Sequence, residues 1–580
     1  MNEEPKSIWK KSWAGPRWLG AWLVLTAATF VIILVITFFL TGGPHGLLEW
    51  VPALTALLLM SLVVATVLVC LWIFLRWLFN PRNFKRTLFG LACFVTLIAL
   101  IYAEEDVRGK WAWNNFKREW EAKGEKFDLA SFIPPTVPDD QNFAMTPLLR
   151  PILDYSHSTN GVRWRDTNGY ARLERLSIYA ADVKYDGALD FGTADRAANL
   201  GVWGEYYRSS TNFPVAEKSA SAAQSVLTAL GKFDAEMNEL REAAAARTLS
   251  RFPIHYEEIP PMDILLPHLA RMKGLCLLFE LHAIALMELG RGEESLIDLQ
   301  TSFRLSDSIR NEPFLIDHLV RLGTLGINLN GLHEGLVRHV WDDAQLARLE
   351  KYLASLDILA EYKTNMRGDR SFGLSGLEYY RRMGFRAQFS DLNGTGQDGE
   401  GKISTAWINN VSFLPGGFYY QNMVAMARLH QEFALAAVDE EKHRAFPEIS
   451  NEMKDTIVAM RTTPYNIFAK MLMPALARTS RKSARIQVSV DEAHVACALE
   501  RYRLAHGQFP EALAALVPQF LEKIPTDVIG GQPLNYRRTD GGKFLLYSIG
   551  WNEKDDGGVA ALNENNKDDL ENGDWVWPAR

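Results

Sequence analysis

The sequence has only four cysteines in 580 residues, and no two of them stand at a metal-ligand spacing such as C-x-x-C. Cys70 and Cys93 lie in apolar runs, whereas Cys276 and Cys497 lie far apart in helical patterns. This argues against a disulfide framework and against a zinc centre. We expect buried free thiols, with a single Cys276–Cys497 bridge in an oxidising compartment as the alternative.

The chain also has no excess of positive charge, because its formal net charge is -7. A protein that binds nucleic acid needs a basic surface to neutralise phosphates. The composition therefore argues against nucleic acid as a main partner.

Three runs near the N-terminus contain no charged side chain: Trp18–Thr41, Pro52–Leu75 and Thr87–Ala103. A bilayer core of about 30 Å needs about 20 apolar residues in a helix. The third run is slightly short, and the long side chains of Lys85 and Arg86 extend it to the interface. The runs predict three transmembrane helices. Since no ionisable group lies within them, they predict an anchor and not a transporter.

The basic residues beside these runs predict the orientation of the chain, because Lys and Arg stay in the cytoplasm. They occur in the N-terminal tail and in the loop between the second and third runs: Lys6, Lys10, Lys11, Arg17, Arg76, Arg82, Lys85 and Arg86. The third run is followed by Glu104, Glu105 and Asp106. We expect a bacterial inner-membrane protein with a cytoplasmic N-terminus and a large periplasmic C-terminal part.

The chain after the third run predicts a juxtamembrane helix over 106–126 and then a spacer at Phe132–Asp140, in which three prolines exclude a helix. Four aromatic residues of the helix form either an interfacial aromatic belt or part of a core: Trp111, Trp113, Phe116 and Trp120.

The middle of the chain is predicted to be helical. Five apolar residues recur at helical spacing: Val226, Leu230, Phe233, Met237 and Leu240. The segment 268–306 predicts two helices separated at Gly290, and the string from Ala285 to Leu299 resembles one tetratricopeptide (TPR) hairpin. The sequence contains no second copy at the period of 34 residues that such an array requires. Another helix is predicted to start at Asp342, with Gln345 in the capping-box position.

Several motifs are only approximate. The Gly-rich segment 388–405 contains G-x-G-x-x-G, but a helix pattern precedes it where a dinucleotide site needs a strand. The segment also fails as a P-loop and as a calcium loop, which favours a surface loop. His333 and His339 are six residues apart, not four as in a zinc protease. Ser375 lacks the spacing of a nucleophile elbow, which favours a serine at a helix start.

The C-terminal hundred residues carry a more specific pattern. A helix ends in Tyr502-Arg503…Gly507-Gln-Phe-Pro510, followed by Ile524-Pro-Thr-Asp527…Gly531-Gln-Pro533…Tyr536 and by a strand that contains Tyr547-Ser-Ile-Gly550. This order closely resembles the C-terminal domain of the major pseudopilin of type II secretion, over about residues 485–577. The resemblance implies a small α+β domain and a role in secretion or surface assembly.

The same resemblance implies a calcium site. Its positions in this chain are Asn552, Asp568, Asp569 and Asp574. Asn552 stands where the family has Asp, and the intervening loop is longer and carries Asp555 and Asp556. Calcium prefers six to eight oxygen ligands, which this acidic segment can supply. The alternative is a solvated acidic tail.

One departure from the family concerns Arg478–Arg485, a basic segment where a pseudopilin has a long apolar helix. A basic segment cannot enter an apolar fibre core without a large desolvation cost. We therefore expect a borrowed module and not a pilus subunit. The string from Ile133 to Leu149 and the C-terminal residues also make the whole chain resemble a group of uncharacterised bacterial membrane-anchored proteins. This resemblance implies no activity.

The sequence thus predicts a mainly α protein in five parts: a cytoplasmic tail at 1–17, three transmembrane helices in 18–103, a juxtamembrane helix and spacer in 104–150, a helical periplasmic domain in 151–480, and a pseudopilin-like α+β domain in 485–580. The expected function is that of an interaction or scaffold protein with an envelope protein partner. The alternative is a periplasmic hydrolase whose site is assembled from distant residues. A cluster of His268, His282 and His318 with carboxylates would favour the hydrolase.

Overall fold

The computed structural model describes residues 16–41, 47–158, 161–182, 199–383, 415–539, 541–564 and 568–577. The chain divides into two compact units, Met1–Glu104 and Glu105–Arg580. Three long helices begin the fold: α1 Pro16–Thr41, α2 Leu47–Leu78 and α3 Pro81–Glu121. The predicted Gly-rich segment 388–405 lies outside the described residues.

Among the described residues, two helices, and not three, are long and apolar enough to cross a membrane by length and composition. They are Leu54–Trp77 within α2 and Pro81–Glu121, which is α3. In an 18-residue apolar window of each helix, 11% of the first window and 0% of the second are buried. This exposure distinguishes both helices from the core helices of a globular domain. The expected first span does form a helix, but the apolar part found in it, Trp22–Val35, is shorter than a span.

Helices α1 and α2 pack against each other through small and hydroxyl side chains. Trp22 Nε1 donates a hydrogen bond to Thr66 Oγ1 at 3.2 Å, and Thr29 Oγ1 lies 3.4 Å from the carbonyl oxygen of Ser61. Ser61 and Ala65 are fully buried in this contact. Small residues at the contact and large apolar residues on the outside are typical of helix pairs in a bilayer.

The aromatic residues of α3 divide between core and surface. Phe116 is buried, and Trp113 and Trp120 pack on the same core, where Phe127 meets the rings of Trp113 and Phe116 edge to face. Trp111 is 67% exposed. Core packing therefore accounts for three of the four aromatic residues, and Trp111 alone remains available to an interface.

The unit Glu105–Arg580 is mostly helical, with small antiparallel sheets. Its helices are α4 Thr167–Glu174, α5 Leu200–Ser209, α6 Ala222–Leu230, α7 Asp234–Ala246, α8 Pro267–Glu288, α9 Gly292–Asp307, α10 Leu315–Val337, α11 Asp343–Leu353, α12 Ile358–Met383, α13 Gly416–Leu429, α14 Pro447–Ala459, α15 Ile467–Leu472 and α16 Thr479–His506. Its strands are β1 Tyr155–Ser158, β2 Gly161–Trp164, β3 Val438–Asp439, β4 Arg444–Ala445, β5 Asn535–Thr539, β6 Lys543–Ser548, β7 Ala560–Leu562, β8 Asp568–Gly573 and β9 Trp575–Trp577. Strands β5, β6 and β9 form one antiparallel sheet.

The sequence patterns locate several of these helices correctly. The five periodic residues between Val226 and Leu240 are all buried. Helices α8 and α9 form the expected hairpin, and Gly290 takes the left-handed conformation at its turn, φ +71°. Asp342 caps α11, because the amide of Gln345 donates to Asp342 Oδ1 at 2.8 Å and Gln345 Oε1 accepts from the Asp342 amide at 2.9 Å.

Helix α16 runs through the region in which a module boundary was expected. It begins at Thr479, so the basic segment Arg478–Arg485 forms its first turns and not a linker. The helix packs against α10, α11 and α12, and one core joins these helices to β6 and β9. Residues 105–580 therefore form a single compact unit. The helix ends at Gly507, whose φ of +77° provides the left-handed cap.

Candidate functional site

A polar pocket opens between the helical hairpin α8–α9 and the pair α6–α7. Its volume is about 590 Å³, within the usual range for a small-molecule site. Each of the four helices contributes side chains, and most of the lining is polar: Thr228, Asp234, Asn238, Arg241, His282, Arg291 and Glu294, with Leu227, Leu286 and Ile297 as apolar walls.

Asp298 lies behind the pocket lining and binds two of the lining residues at once. Its Oδ2 accepts a hydrogen bond from His282 Nδ1 at 2.6 Å, and its Oδ1 accepts one from Arg241 Nε at 2.6 Å. Asp298 is fully buried. A buried carboxylate needs partners of this kind, because desolvation would otherwise neutralise it. The contacts join α7, α8 and α9 at one carboxylate.

The Asp298 contact determines what His282 can do. Since a carboxylate only accepts, Nδ1 of His282 donates, and the neutral ring has its lone pair on Nε2. The Nε2 atom of His282 has no hydrogen-bond partner among the described residues. A histidine oriented by a buried carboxylate and facing a pocket is able to act as a general base or acid, or to bind a ligand donor.

The outer part of the pocket is more exposed. Arg291 donates to both carboxylate oxygens of Glu294, at 2.6 Å for Nε and 2.5 Å for Nη2. This hydrogen bonding lowers the pKa of Glu294 and raises the pKa of Arg291. Arg241 also donates from Nη1 to Asn238 Oδ1 at 2.7 Å. The pocket therefore offers both signs of charge to a ligand.

The three histidines that the sequence offered as an enzyme cluster do not meet in one pocket. His268 Nε2 lies 2.8 Å from Glu312 Oε2, and His318 Nε2 lies 2.8 Å from Ser483 Oγ. Both rings are buried, and burial lowers the pKa of His268 to about 4 and that of His318 to about 3. Burial raises the pKa of Glu312 well above its usual value. These histidines hold the helices together, and His282 alone lines the pocket.

A deeply buried ion cluster is centred on Arg321, which is 1% exposed. Its Nε donates to Glu361 Oε2 at 2.7 Å, and its Nη1 lies 3.0 Å from Asp307 Oδ1. Burial opposes the charge of Arg321, but the two carboxylates outweigh it and raise its pKa. The cluster ties α9, α10 and α12 together and is closed to ligands.

The predicted metal residues fall into two groups. Asp574 is buried, and its Oδ1 and Oδ2 accept from the amides of Asp556 at 3.1 Å and Gly558 at 2.6 Å. Asn552 Nδ2 donates to Asp556 Oδ2 at 3.0 Å, which places it in the same loop. Burial raises the pKa of Asp574.

The other two predicted ligands lie on β8. Asp568 begins the strand, and Asp569 accepts from the Glu571 amide at 2.9 Å and from Asn572 Nδ2 at 2.8 Å, within its own strand. Within the described residues, no three His, Cys, Asp or Glu side chains are grouped to hold a metal ion. Calcium binding stays a prediction.

The residues of the approximate motifs that the structure describes make structural contacts. His339 Nδ1 lies 2.8 Å from Glu500 Oε1, whereas the half-buried ring of His333 meets Trp577 edge to face. Ser375 lies inside α12, where its hydroxyl donates to the Phe372 carbonyl oxygen; it does not start a helix. Cys276 and Cys497 are buried free thiols, and burial raises the pKa of both.

No protein-family model, curated protein or solved structure matches this chain. The resemblances of the C-terminal residues to a pseudopilin and of α8–α9 to a TPR hairpin stay predictions.

Sequence inspection did not identify Asp298 as the partner of His282, although the chain carries a signal. The two residues stand eight positions before and eight positions after Gly290, where the turn of the hairpin lies. In an antiparallel helical hairpin, residues at equal distances from the turn lie side by side. Arg241 has no such signal, because it comes from a separate helix.

Proposed function

We propose that the protein is a membrane-anchored interaction protein of the bacterial cell envelope. One observation carries this proposal: two long apolar helices with exposed apolar side chains precede one compact unit, Glu105–Arg580. Exposed apolar helices of this length are stable in lipid and costly in water.

The proposed orientation of the protein in the membrane depends on the basic residues beside the apolar helices and on α1 as a third membrane crossing. The tail before α1 and the residues between α2 and α3 are basic, and Glu104, Glu105 and Asp106 follow the last apolar run. The basic parts stay in the cytoplasm, so three crossings place Glu105–Arg580 in the periplasm. The packing of α1 on α2 through Ser61 and Ala65 supports α1 as a membrane helix.

The pocket that contains His282 and Arg241 is the interaction site in this proposal. Its mixed charges suit a polar segment of an envelope protein, and the C-terminal likeness to a pseudopilin favours a partner in secretion or surface assembly.

The experiment that tests this site is photo-crosslinking in native membranes, with a photoreactive amino acid at position 297. Ile297 lines the pocket and is 38% exposed, and Leu504, 43% exposed, is a matched control outside the pocket lining.

The expected result is a discrete crosslinked band from position 297 that is missing from position 504. The band weakens when Arg241 is replaced by Gln, because the charge that fixes Asp298 is then lost. No band from position 297, or the same band from both positions, would contradict the assignment of the pocket.

The contact of His282 with Asp298 favours a second function, that of a periplasmic hydrolase. In this role His282 Nε2 takes a proton from an attacking water while Asp298 holds the ring. The test offers chromogenic esters, phosphates and glycosides to the purified full chain. A hydrolase loses its activity in His282→Gln and keeps it in His506→Gln, where the ring is exposed. Turnover of none of these substrates, or full activity in His282→Gln, excludes this second function for the classes tested.

A further inference from the structure

The first extramembrane turn of α3 is bound to the loop before α15. The hydroxyl of Tyr465 donates to Glu105 Oε1 at 2.9 Å. Arg108 Nη2 lies 3.1 Å from the Tyr465 hydroxyl oxygen and donates to Glu105 Oε1 at 2.5 Å. The guanidinium group of Arg108 also lies over the Tyr465 ring, 5.3 Å from its centre. Two neighbouring side chains of α3 and the distant Tyr465 thus form one closed contact.

The N-terminus of α13 is fixed to the same turn of α3. Asp106 Oδ1 accepts from the Gly417 amide at 2.8 Å. A Cβ on Gly417 would lie 1.9 Å from the Glu105 carbonyl oxygen, and a Cβ on Gly109 would lie 2.5 Å from the Gly417 Cα. The two backbones therefore touch, and this approach requires glycine at both positions.

The loop and α15 are held rigidly on α13. Asn422 Nδ2 donates to the Pro464 carbonyl oxygen at 2.7 Å, and Asn422 Oδ1 accepts from the Phe468 amide at 3.0 Å. Lys470 Nζ donates to the Met460 carbonyl oxygen at 2.5 Å, which connects α15 to the end of α14.

This rigid segment exposes large apolar side chains. Val458 is 75% exposed, Met471 48% and Leu472 47%. We call the segment 458–472 the juxtamembrane patch. Solitary exposed apolar residues are ordinary, but three on one hydrogen-bonded segment require a reason.

The chain itself limits the distance between Glu105 and the apolar run of α3. Glu105 is two residues after Ala103, the last residue of that run, and a chain extends at most about 3.6 Å per residue. Glu105 therefore lies within about 7 Å of the end of the run, and Tyr465 is hydrogen bonded to Glu105. The headgroup region on each side of a bilayer is about 5–7 Å deep.

We propose that the juxtamembrane patch lies in the lipid interface of the bilayer that holds α3, as a second point of membrane contact. The proposal rests on the membrane insertion proposed above. Met471, Leu472 and Val458 enter the boundary between headgroups and acyl chains, and the exposed Arg461 meets lipid phosphates. Val107 is exposed on α3 four residues after Ala103, which is about 6 Å at 1.5 Å per residue, so it extends the apolar surface within the headgroup region.

The test uses the full chain in nanodiscs of phosphatidylethanolamine and phosphatidylglycerol. Cys70 and Cys93 are exposed and are first replaced by Ala, whereas Cys276 and Cys497 are buried and stay. An environment-sensitive fluorophore is attached after Met471→Cys, after Leu504→Cys as the exposed control, and after Leu97→Cys in the apolar run of α3. Doxyl-labelled lipids then quench any fluorophore that lies in the bilayer.

The proposal expects a blue-shifted and lipid-quenched signal at positions 97 and 471, and an aqueous signal at position 504. Quenching at 97 but not at 471 overturns this inference and leaves the membrane anchor intact. No quenching at either position overturns the anchor as well. Shielding at 471 in native vesicles but not in nanodiscs means that a protein covers the patch, which also overturns the lipid assignment.

Discussion

His282 Nδ1 and Asp298 Oδ2 lie 2.6 Å apart across the hairpin α8–α9, at equal sequence distances from its turn. The carboxylate is fully buried and also binds Arg241, so one group orients the histidine and connects three helices. The pocket and the local stability of the fold therefore depend on the same residue.

Replacing Asp298 by Ala should lower the free energy of unfolding by about 3–5 kcal/mol, because it leaves Arg241 without its carboxylate partner inside the protein. Glu294→Ala is the matched control in the same pocket. Its pair with Arg291 is about half exposed, and such pairs contribute about 0–1 kcal/mol. Urea unfolding of the full chain in detergent measures both, and equal losses would contradict the structural role of Asp298.

Two helical glycines should respond oppositely to alanine. Gly417→Ala should destabilise the contact of α13 with α3, because its Cβ would lie 1.9 Å from the Glu105 carbonyl oxygen. A Cβ added at Gly274 in α8 has no neighbouring atom within 4 Å, so Gly274→Ala should stabilise the helix by about 0.5–1 kcal/mol. Thermal unfolding distinguishes them: Gly417→Ala lowers the melting temperature and Gly274→Ala raises it slightly. A Gly417→Ala protein as stable as the native chain would refute the close contact of the two backbones.

The stability of the unit should fall in acid partly through His333. Burial, with a smaller effect of Arg338, lowers the pKa of His333 to about 4 from a usual 6.5. The unfolded chain then binds more protons than the folded chain below pH 6.5, so this contribution is present above pH 6.5 and is lost as the pH falls to about 4. At about 1.4 kcal/mol per unit of pKa, this loss of stability amounts to about 3 kcal/mol by pH 4.

His333→Phe retains an aromatic ring against Trp577 and removes the titration. Unfolding free energies of the two proteins are compared at pH 7.5, 6 and 4.5, and the variant should lose less stability towards low pH than the native chain. A difference that stays constant from pH 7.5 to 4.5 would show that His333 does not titrate in this way.

Calcium should raise the melting temperature of the full chain if the acidic C-terminal loop binds it. A ligand at a hundred times its dissociation constant stabilises by about 2.7 kcal/mol. The shift should disappear in Asp574→Asn and persist in Asp343→Asn, since Asp343 lies on α11 with an exposed side chain. Identical melting curves with calcium and with a chelator would remove the calcium site from the account.

The elements that sequence analysis located correctly are those determined by local patterns. The helical spacing between Val226 and Leu240 identified the buried faces of α6 and α7, and the Asp342–Gln345 pair identified a helix start. Both signals lie within a few residues of the structure that they predict, so no knowledge of distant partners is needed.

The features that sequence analysis missed depend on distant partners. The basic segment Arg478–Arg485 predicts a boundary before the C-terminal module. In the structure Arg481 pairs with Glu571, and Arg485 pairs with Glu492 and lies over the Trp575 ring. These arginines are therefore paired within the fold, and the run opens helix α16.

The expected cluster of His268, His282 and His318 does not form, for a related reason. His318 meets Ser483, which is 165 residues away, and no spacing rule connects the two. His282 and Asp298 differ in this respect, because both belong to one hairpin and lie at equal sequence distances from its turn.

The side of the membrane on which Glu105–Arg580 lies is the central claim, and fusion reporters after Arg580 measure it most directly. Alkaline phosphatase is active only in the periplasm, whereas green fluorescent protein exported through the general secretory route fluoresces only in the cytoplasm. The account predicts high phosphatase activity and no fluorescence from the two fusions. A fluorescent fusion with inactive phosphatase would place the unit in the cytoplasm and contradict the account.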